Sequence, residues 1–167
     1  IGSAEDENDK EVYFSLQDFA MHLHNASSFD TINIAINSKG SYCDVADKMI
    51  DLLAKTGKNI ITCNTGIVAS AASKIFTLAS KENRFFYPER GEFLIHNPWV
   101  SGVEGDATEL ASMAKSLKET ENDYAKWYAK QTGTDINIIS ALMAENTPLT
   151  IEQIEKLGFA IIKEKAV

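Results

Sequence analysis

The sequence predicts an α/β protein with a mostly parallel sheet and crossover helices. Three observations carry that expectation. Short runs rich in β-branched or aromatic residues recur: TINIAI (31–36), NIITC (59–63), RFFY (84–87), EFLIH (92–96) and FAIIK (159–163). Stretches with helical periodicity separate most of them. Loops rich in small polar residues follow the first two runs, at one end of the expected sheet. Strands that alternate with helices pair in parallel, because a helical crossover returns the chain to the same end of the sheet.

Taken in order, residues 4–11 (AEDENDKE) are charged and read as a solvated loop or linker. Ser15 opens a helix. Its hydroxyl can cap, Asp18 stands three residues on, and Leu16, Phe19, Ala20 and Leu23 recur at helical spacing. The strand 31–36 runs into a loop, Asn37-Ser38-Lys39-Gly40-Ser41. Asp44 is placed to cap a second helix to Lys55, with Val45, Met49, Leu52 and Leu53 inward and Gly57 as its stop. The strand 59–63 ends in a turn, Asn64-Thr65-Gly66. Ile67 to Ser80 has helical composition, with small residues at its start. Pro88-Glu89-Arg90-Gly91 turns between the strands 84–87 and 92–96.

A loop over 97–106 leads to a long amphipathic helix, Ala107 to Lys130. Its stripe is Leu110, Met113, Leu117, Tyr124, Trp127 and Tyr128, and Thr132-Gly133 stops it. Asp135 caps a short helix to Ala144. Thr150, with Gln153 three residues on, starts another that ends at Gly158, before the last strand.

Composition bounds the function. The 167 residues carry a net charge of −8, and an acidic surface repels phosphate backbones, so no nucleic-acid partner is expected. Hydrophobic residues make up 44% of the chain and charged residues 24%, which suits a globular protein with its own core. Cys43 and Cys63 are too few for a disulfide scaffold or a multi-cysteine zinc site. No apolar run approaches the roughly 18 residues that span a bilayer, and no signal-peptide pattern leads the chain. The first residue is Ile, which suggests a fragment of a longer chain. The expectation is a soluble, cytoplasmic, single-domain protein over 1–167, with no metal.

Three places could carry chemistry. Ser70 lies in TGIVASAAS, where Gly66, Ala69, Ala71 and Ala72 would let a substrate backbone come close. A strand-turn-helix junction there would aim free backbone N–H groups at one point. His96 ends a strand, just before Asn97-Pro98, and could take a hydroxyl proton. Such a base needs a third group to orient it, and Glu145 and Asn146 are the candidates near the last turn. Taken alone, each has a plain alternative: a packing serine, a satisfied histidine, a helix end. His22 and His24 lie two residues apart, do not share a helix face, and read as surface residues.

Together these pieces form an ordered set. INSKGS (36–41), GIVASAAS (66–73), FLIHNP (93–98), QTG (131–133) and NTPLT before EQIEKLGF (152–159) resemble the proteolytic subunit of Clp protease. The likeness is strongest to the phage and prophage members linked to capsid maturation, and it covers residues 30–163. It implies a ClpP/crotonase-type spiral of strand-strand-helix units, with residues 107–130 as the handle helix of ring-to-ring contacts. It also implies a serine endopeptidase that needs no cofactor. Ser70 matches the nucleophile and His96 the general base. The backbone N–H of Ala71 matches one oxyanion donor, and the loop at Gly40 and Ser41 supplies the other.

Three positions depart from the family. Ser41 stands where a second glycine is usual, and Lys39 where a proline is usual. Aligning on Leu149-Thr150 puts Asn146 where the family has Asp, or Glu in some phage members; a one-residue shift puts Glu145 there instead. The implied partners are peptide or protein substrates, further copies in a ring, and an AAA+ unfoldase or phage capsid proteins. Two other readings stand beside this one: a ring-forming scaffold that has lost activity, and a crotonase-type enzyme acting on acyl-coenzyme A.

Overall fold

The computed structural model describes residues 3–5, 11–13 and 15–164. Its elements are β1 (Ser3–Glu5), β2 (Glu11–Tyr13), α1 (Leu16–Asn25), β3 (Thr31–Ser38), α2 (Cys43–Lys55), β4 (Asn59–Ala69) and α3 (Ala71–Phe76). β5 (Arg84–Phe86), β6 (Phe93–Leu94), α4 (Ala107–Thr132), α5 (Ile136–Glu145), α6 (Ile151–Lys156) and β7 (Ile161–Ile162) complete them.

The main sheet is parallel, as expected, in the order β3-β4-β5-β7. β6 also pairs with β4, beyond β5 along the same strand. The 11-residue β4 is therefore the spine of the fold. Thr62 and Cys63 pair with Arg84 and Phe85 of β5, and Val68 and Ala69 pair with Phe93 and Leu94 of β6. One strand serving two successive neighbours is what makes the sheet spiral.

Local chemistry explains most elements. Ser15, Asp106, Asp135 and Thr150 all cap helices through their side chains, three of them in reciprocal capping boxes. Gly133, at φ 76°, ends α4 in the left-handed region where glycine carries no penalty. Phe93 centres the core, with the rings of Phe76, Phe86 and Phe159 at 5.3, 5.7 and 5.4 Å.

Several expectations are corrected. Part of the charged stretch 4–11 is strand: β1 and β2 pair antiparallel, with Ser3 opposite Tyr13 and Glu5 opposite Glu11. Residues 6–10 lie outside the described residues. Charged side chains do not prevent backbone pairing, so composition alone misleads there. Asp44 does not cap α2. The cap position is Tyr42, which makes no capping bond, and Asp44 instead pairs with Lys48 one turn on, at 2.9 Å. Asn64-Thr65-Gly66 is not a turn, and Ile67–Ala69 is not helix. Both belong to β4, and α3 is only six residues long. The strands at 84–87, 92–96 and 159–163 are shorter than their apolar runs, because pairing partners cover only part of each.

Arg84 ties the far end of the fold together. It is 1% exposed, and among the described residues no salt bridge joins it to a carboxylate. Its Nε donates to the Ala79 carbonyl at 2.6 Å, and its Nη atoms donate to the carbonyls of Gln131 and Gly158 at 3.2 and 3.3 Å. The Gln131 carbonyl is one that the end of α4 leaves unpaired; Ala79 and Gly158 lie in the loops that follow α3 and α6. Burial pulls the guanidinium pKa down to about 10, so it keeps its charge at neutral pH.

Candidate active site

The site is built on the end of β4. Ile36 pairs with Asn64, but the next pairing is Ser38 with Val68, so β4 bulges over Thr65–Ile67. Two asparagines satisfy the bulge. Asn37 Oδ1 accepts the Ile67 N–H at 3.1 Å. Asn64 Oδ1 accepts the Tyr87 N–H at 2.7 Å, and Asn64 Nδ2 donates to the Tyr87 carbonyl at 3.0 Å. A Cβ at 66 would lie 2.1 Å from Asn37 Oδ1, so any larger residue there displaces the Asn37 side chain from the bulge.

Past the bulge, the chain turns sharply at Ser70. Its φ of 55° and ψ of −132° are rare for any residue with a Cβ. The turn is held on both sides. The Ser70 N–H donates to the Leu94 carbonyl at 3.0 Å, and its own carbonyl accepts the Ser73 N–H at 2.9 Å. Ala69, Ala71 and Ala72 are buried around it, while Ser70 itself is half-buried. Ala71 is the first residue of α3, so its N–H has no partner within the helix.

Gly40 closes over this turn. A Cβ at Gly40 would stand 2.5 Å from Ser70 Cβ and 3.0 Å from the Ala71 nitrogen, and its φ is 93°. Contact and conformation both demand glycine there. The structure therefore brings Ser70, Ala71 and the Gly40 loop together. Ser41, next along, is exposed.

His96 follows the neighbouring strand: β6 ends at Leu94, so the strand expected over 92–96 stops short of it. It lies two residues beyond Leu94, the residue that binds the Ser70 N–H. Burial lowers its pKa from the ordinary 6.5, and a hydrogen bond with the Asn97 backbone opposes part of that shift. The ring is therefore neutral at pH 7, the state a general base requires. The end of α5 is stitched to the same segment: the Asn97 N–H donates to the Met143 carbonyl at 3.1 Å, and the Leu149 N–H to Phe93 at 2.8 Å.

Other expected contacts are not made. Among the described residues, no hydrogen bond joins the Ser70 hydroxyl to the His96 ring, or that ring to Asn146 or Glu145. Both third-member candidates are exposed at the end of α5. Asn146 has φ 51° and ψ 42°, left-handed, a conformation in which Asn is the most readily accepted residue after Gly. Its identity thus has a local explanation as a helix stop. Sequence reasoning missed the two asparagines of the bulge and the hydroxyl pair beneath Ser70, Ser73 and Tyr128, described below. Among the described residues, no group of three or more His, Cys, Asp and Glu could hold a metal, and no helix is long and apolar enough to cross a membrane.

A serine raised on a strained turn, with the first N–H of α3 beside it and a half-buried histidine just past the next strand, suits nucleophilic acyl transfer. The comparisons agree in kind. The profile of the Clp protease family matches residues 3–164, and this chain belongs to that family. ATP-dependent Clp protease proteolytic subunit 2 of Treponema denticola is 38% identical over 113 residues, which cover 68% of this chain and 56% of that one. The subunit of the same name from Pseudomonas aeruginosa is 27% identical over 150 residues, 88% of this chain and 74% of that one. Among solved structures, an Asn-to-Asp mutant of ClpP1 from Listeria monocytogenes superposes with a TM-score of 0.78 at 27% identity, covering 90% of this chain and 84% of that one. The spiral fold expected from the sequence is thus the ClpP fold.

Proposed function

We propose that the chain is a serine endopeptidase of the Clp type, with Ser70 as nucleophile and His96 as general base. The observation that carries this is the Ser70 turn, where a disfavoured backbone conformation presents a hydroxyl beside the Ala71 N–H and under Gly40. Ser70 Oγ attacks a peptide carbonyl and His96 takes its proton. The Ala71 N–H and the Gly40–Ser41 loop receive the oxyanion. His96 then protonates the departing amine, and water, deprotonated by His96, releases the acyl group from Ser70. The group that orients His96 is Asn146, through its side-chain carbonyl, or Glu145, a contact that the single chain does not make. The substrate lies extended along β3, which is an edge strand and can accept another strand.

Ring assembly through α4, a protein substrate and a cytoplasmic setting belong to the same proposal. So does delivery of substrate by an unfoldase. The relatives above are named as Clp subunits, which favours a peptidase of general peptides over one dedicated to capsid maturation, the narrower reading of the resemblance. Family membership also disfavours the acyl-coenzyme A reading. The test is hydrolysis of fluorogenic peptides by the assembled protein. Cleavage by the natural chain and none by Ser70→Ala supports the proposal. Cleavage only after Asn146→Asp would make the natural chain a non-catalytic scaffold. A melting-temperature rise with coenzyme A, without peptide cleavage, would favour the acyl-coenzyme A enzyme.

A further inference from the structure

The Ser70 carbonyl attracts more donors than a helix start needs. Besides the Ser73 N–H, Ser73 Oγ lies at 2.6 Å and Tyr128 Oη at 3.5 Å. Those two hydroxyl oxygens are 2.7 Å apart. Counting protons orients the set. A carbonyl only accepts, so the single Ser73 hydroxyl proton goes to Ser70. The Ser73 oxygen then accepts from Tyr128. Burial pushes the Tyr128 hydroxyl well above its ordinary pKa, so it keeps the proton it must donate. Ser73 and Tyr128 are 0% and 1% exposed, so bulk water does not compete, and linked hydroxyls polarise each other in such surroundings. The preceding residue of α4 strengthens the anchor: Trp127 Nε1 donates to Thr77 Oγ1 at 3.0 Å, just past the end of α3.

The consequence lies across one peptide bond. The Ser70 C=O and the Ala71 N–H share a planar trans peptide and point in opposite directions. Holding the oxygen toward α4 therefore turns the N–H away from α4. Gly40 lies close on the Ala71 nitrogen, 3.0 Å from where a Cβ would stand. We propose that Tyr128 and Ser73 are positioning residues, a hydroxyl relay that locks the Ser70–Ala71 peptide plane so that the Ala71 N–H serves as an oxyanion donor. This rests on the peptidase reading of the site. Neither residue touches substrate. The relay acts only on how well the transition state is held, and leaves the base and the ground-state contacts alone.

The experiment uses the assembled full chain as natural protein, Tyr128→Phe, Ser73→Ala and Ser73→Thr. The concentration of working sites is counted by end-point fluorophosphonate labelling, so partial misfolding does not enter kcat. Tyr128→Phe keeps the ring and removes one oxygen; it should lower kcat about 10-fold with KM unchanged. Ser73→Ala should lower it further, and Ser73→Thr should recover most of the loss. Affinity for a peptide boronate, whose tetrahedral adduct places an oxygen in the hole, should fall in step with kcat. The pH profile should not move. A merely structural role would reduce the number of labelled sites, with kcat per site and boronate affinity retained. That result, or kcat within twofold of the natural protein in both Tyr128→Phe and Ser73→Ala, overturns the relay alone. If the natural chain is neither labelled nor active, the peptidase reading falls and the relay falls with it.

Discussion

At Ser70, position and strain are the same fact. Holding an L-residue at φ 55° and ψ −132° costs about 1–3 kcal/mol, and the surrounding hydrogen bonds must sustain it. Ser70→Gly is therefore expected to raise stability by about 1 kcal/mol in urea unfolding while abolishing peptide cleavage. His96 gives a second prediction, with a definite sign. Its folded pKa lies below 6.5, so kcat/KM should rise with pH through a midpoint below 6.5 and be flat by pH 7. The unfolded chain binds the His96 proton more readily. This group's contribution to stability is thus complete above pH 6.5 and declines as pH falls from 6.5 toward the folded pKa. A kcat/KM midpoint above 6.5 would contradict both statements. Ser70, His96 and Gly40 could be picked out from the sequence because their residue types and order match a family. The turn at Ser70 could not, because TGIVASAAS is locally helix-like. What overrides that preference is Gly40, thirty residues away, and Leu94, on another strand.

At the scale of elements, boundaries set by local chemistry were readable and those set by pairing were not. Ser15, Asp135 and Thr150 cap the helices that their own positions predict. β4 runs through Asn64-Thr65-Gly66, a run of turn-like residues, because Asn37 and Tyr87 supply the hydrogen bonds that the bulge would otherwise lack. Arg84 is the same lesson in a buried charge. It stands in an apolar run, and its role depends on carbonyls at 79, 131 and 158. Arg84→Met should destabilise the fold by about 3 kcal/mol, since it leaves those carbonyls without donors in a dry interior. Loss of less than 1 kcal/mol in denaturant unfolding would show that water or rearrangement replaces the guanidinium.

For the whole molecule, α4 divides in two. Its second half is buried through Tyr124, Ala125 and Tyr128, while Leu110 and Met113 of its first half stay 45% and 36% exposed. The predicted stripe is continuous in sequence, yet the protein's own core covers only half of it. The exposed half fits the proposed assembly surface. Leu110→Glu with Met113→Glu should therefore shift sedimentation toward smaller species, with melting of the isolated subunit little changed. An unchanged sedimentation profile would remove α4 from the assembly. The claim on which the rest depends is that Ser70 is a nucleophile activated within this fold. The direct measurement is peptide-mapped mass spectrometry after treatment with a fluorophosphonate. The account predicts one adduct per subunit, on Ser70, formed far more slowly in His96→Ala and absent in Ser70→Ala. An assembled natural protein that stays unmodified, or carries the adduct on another residue, would contradict it.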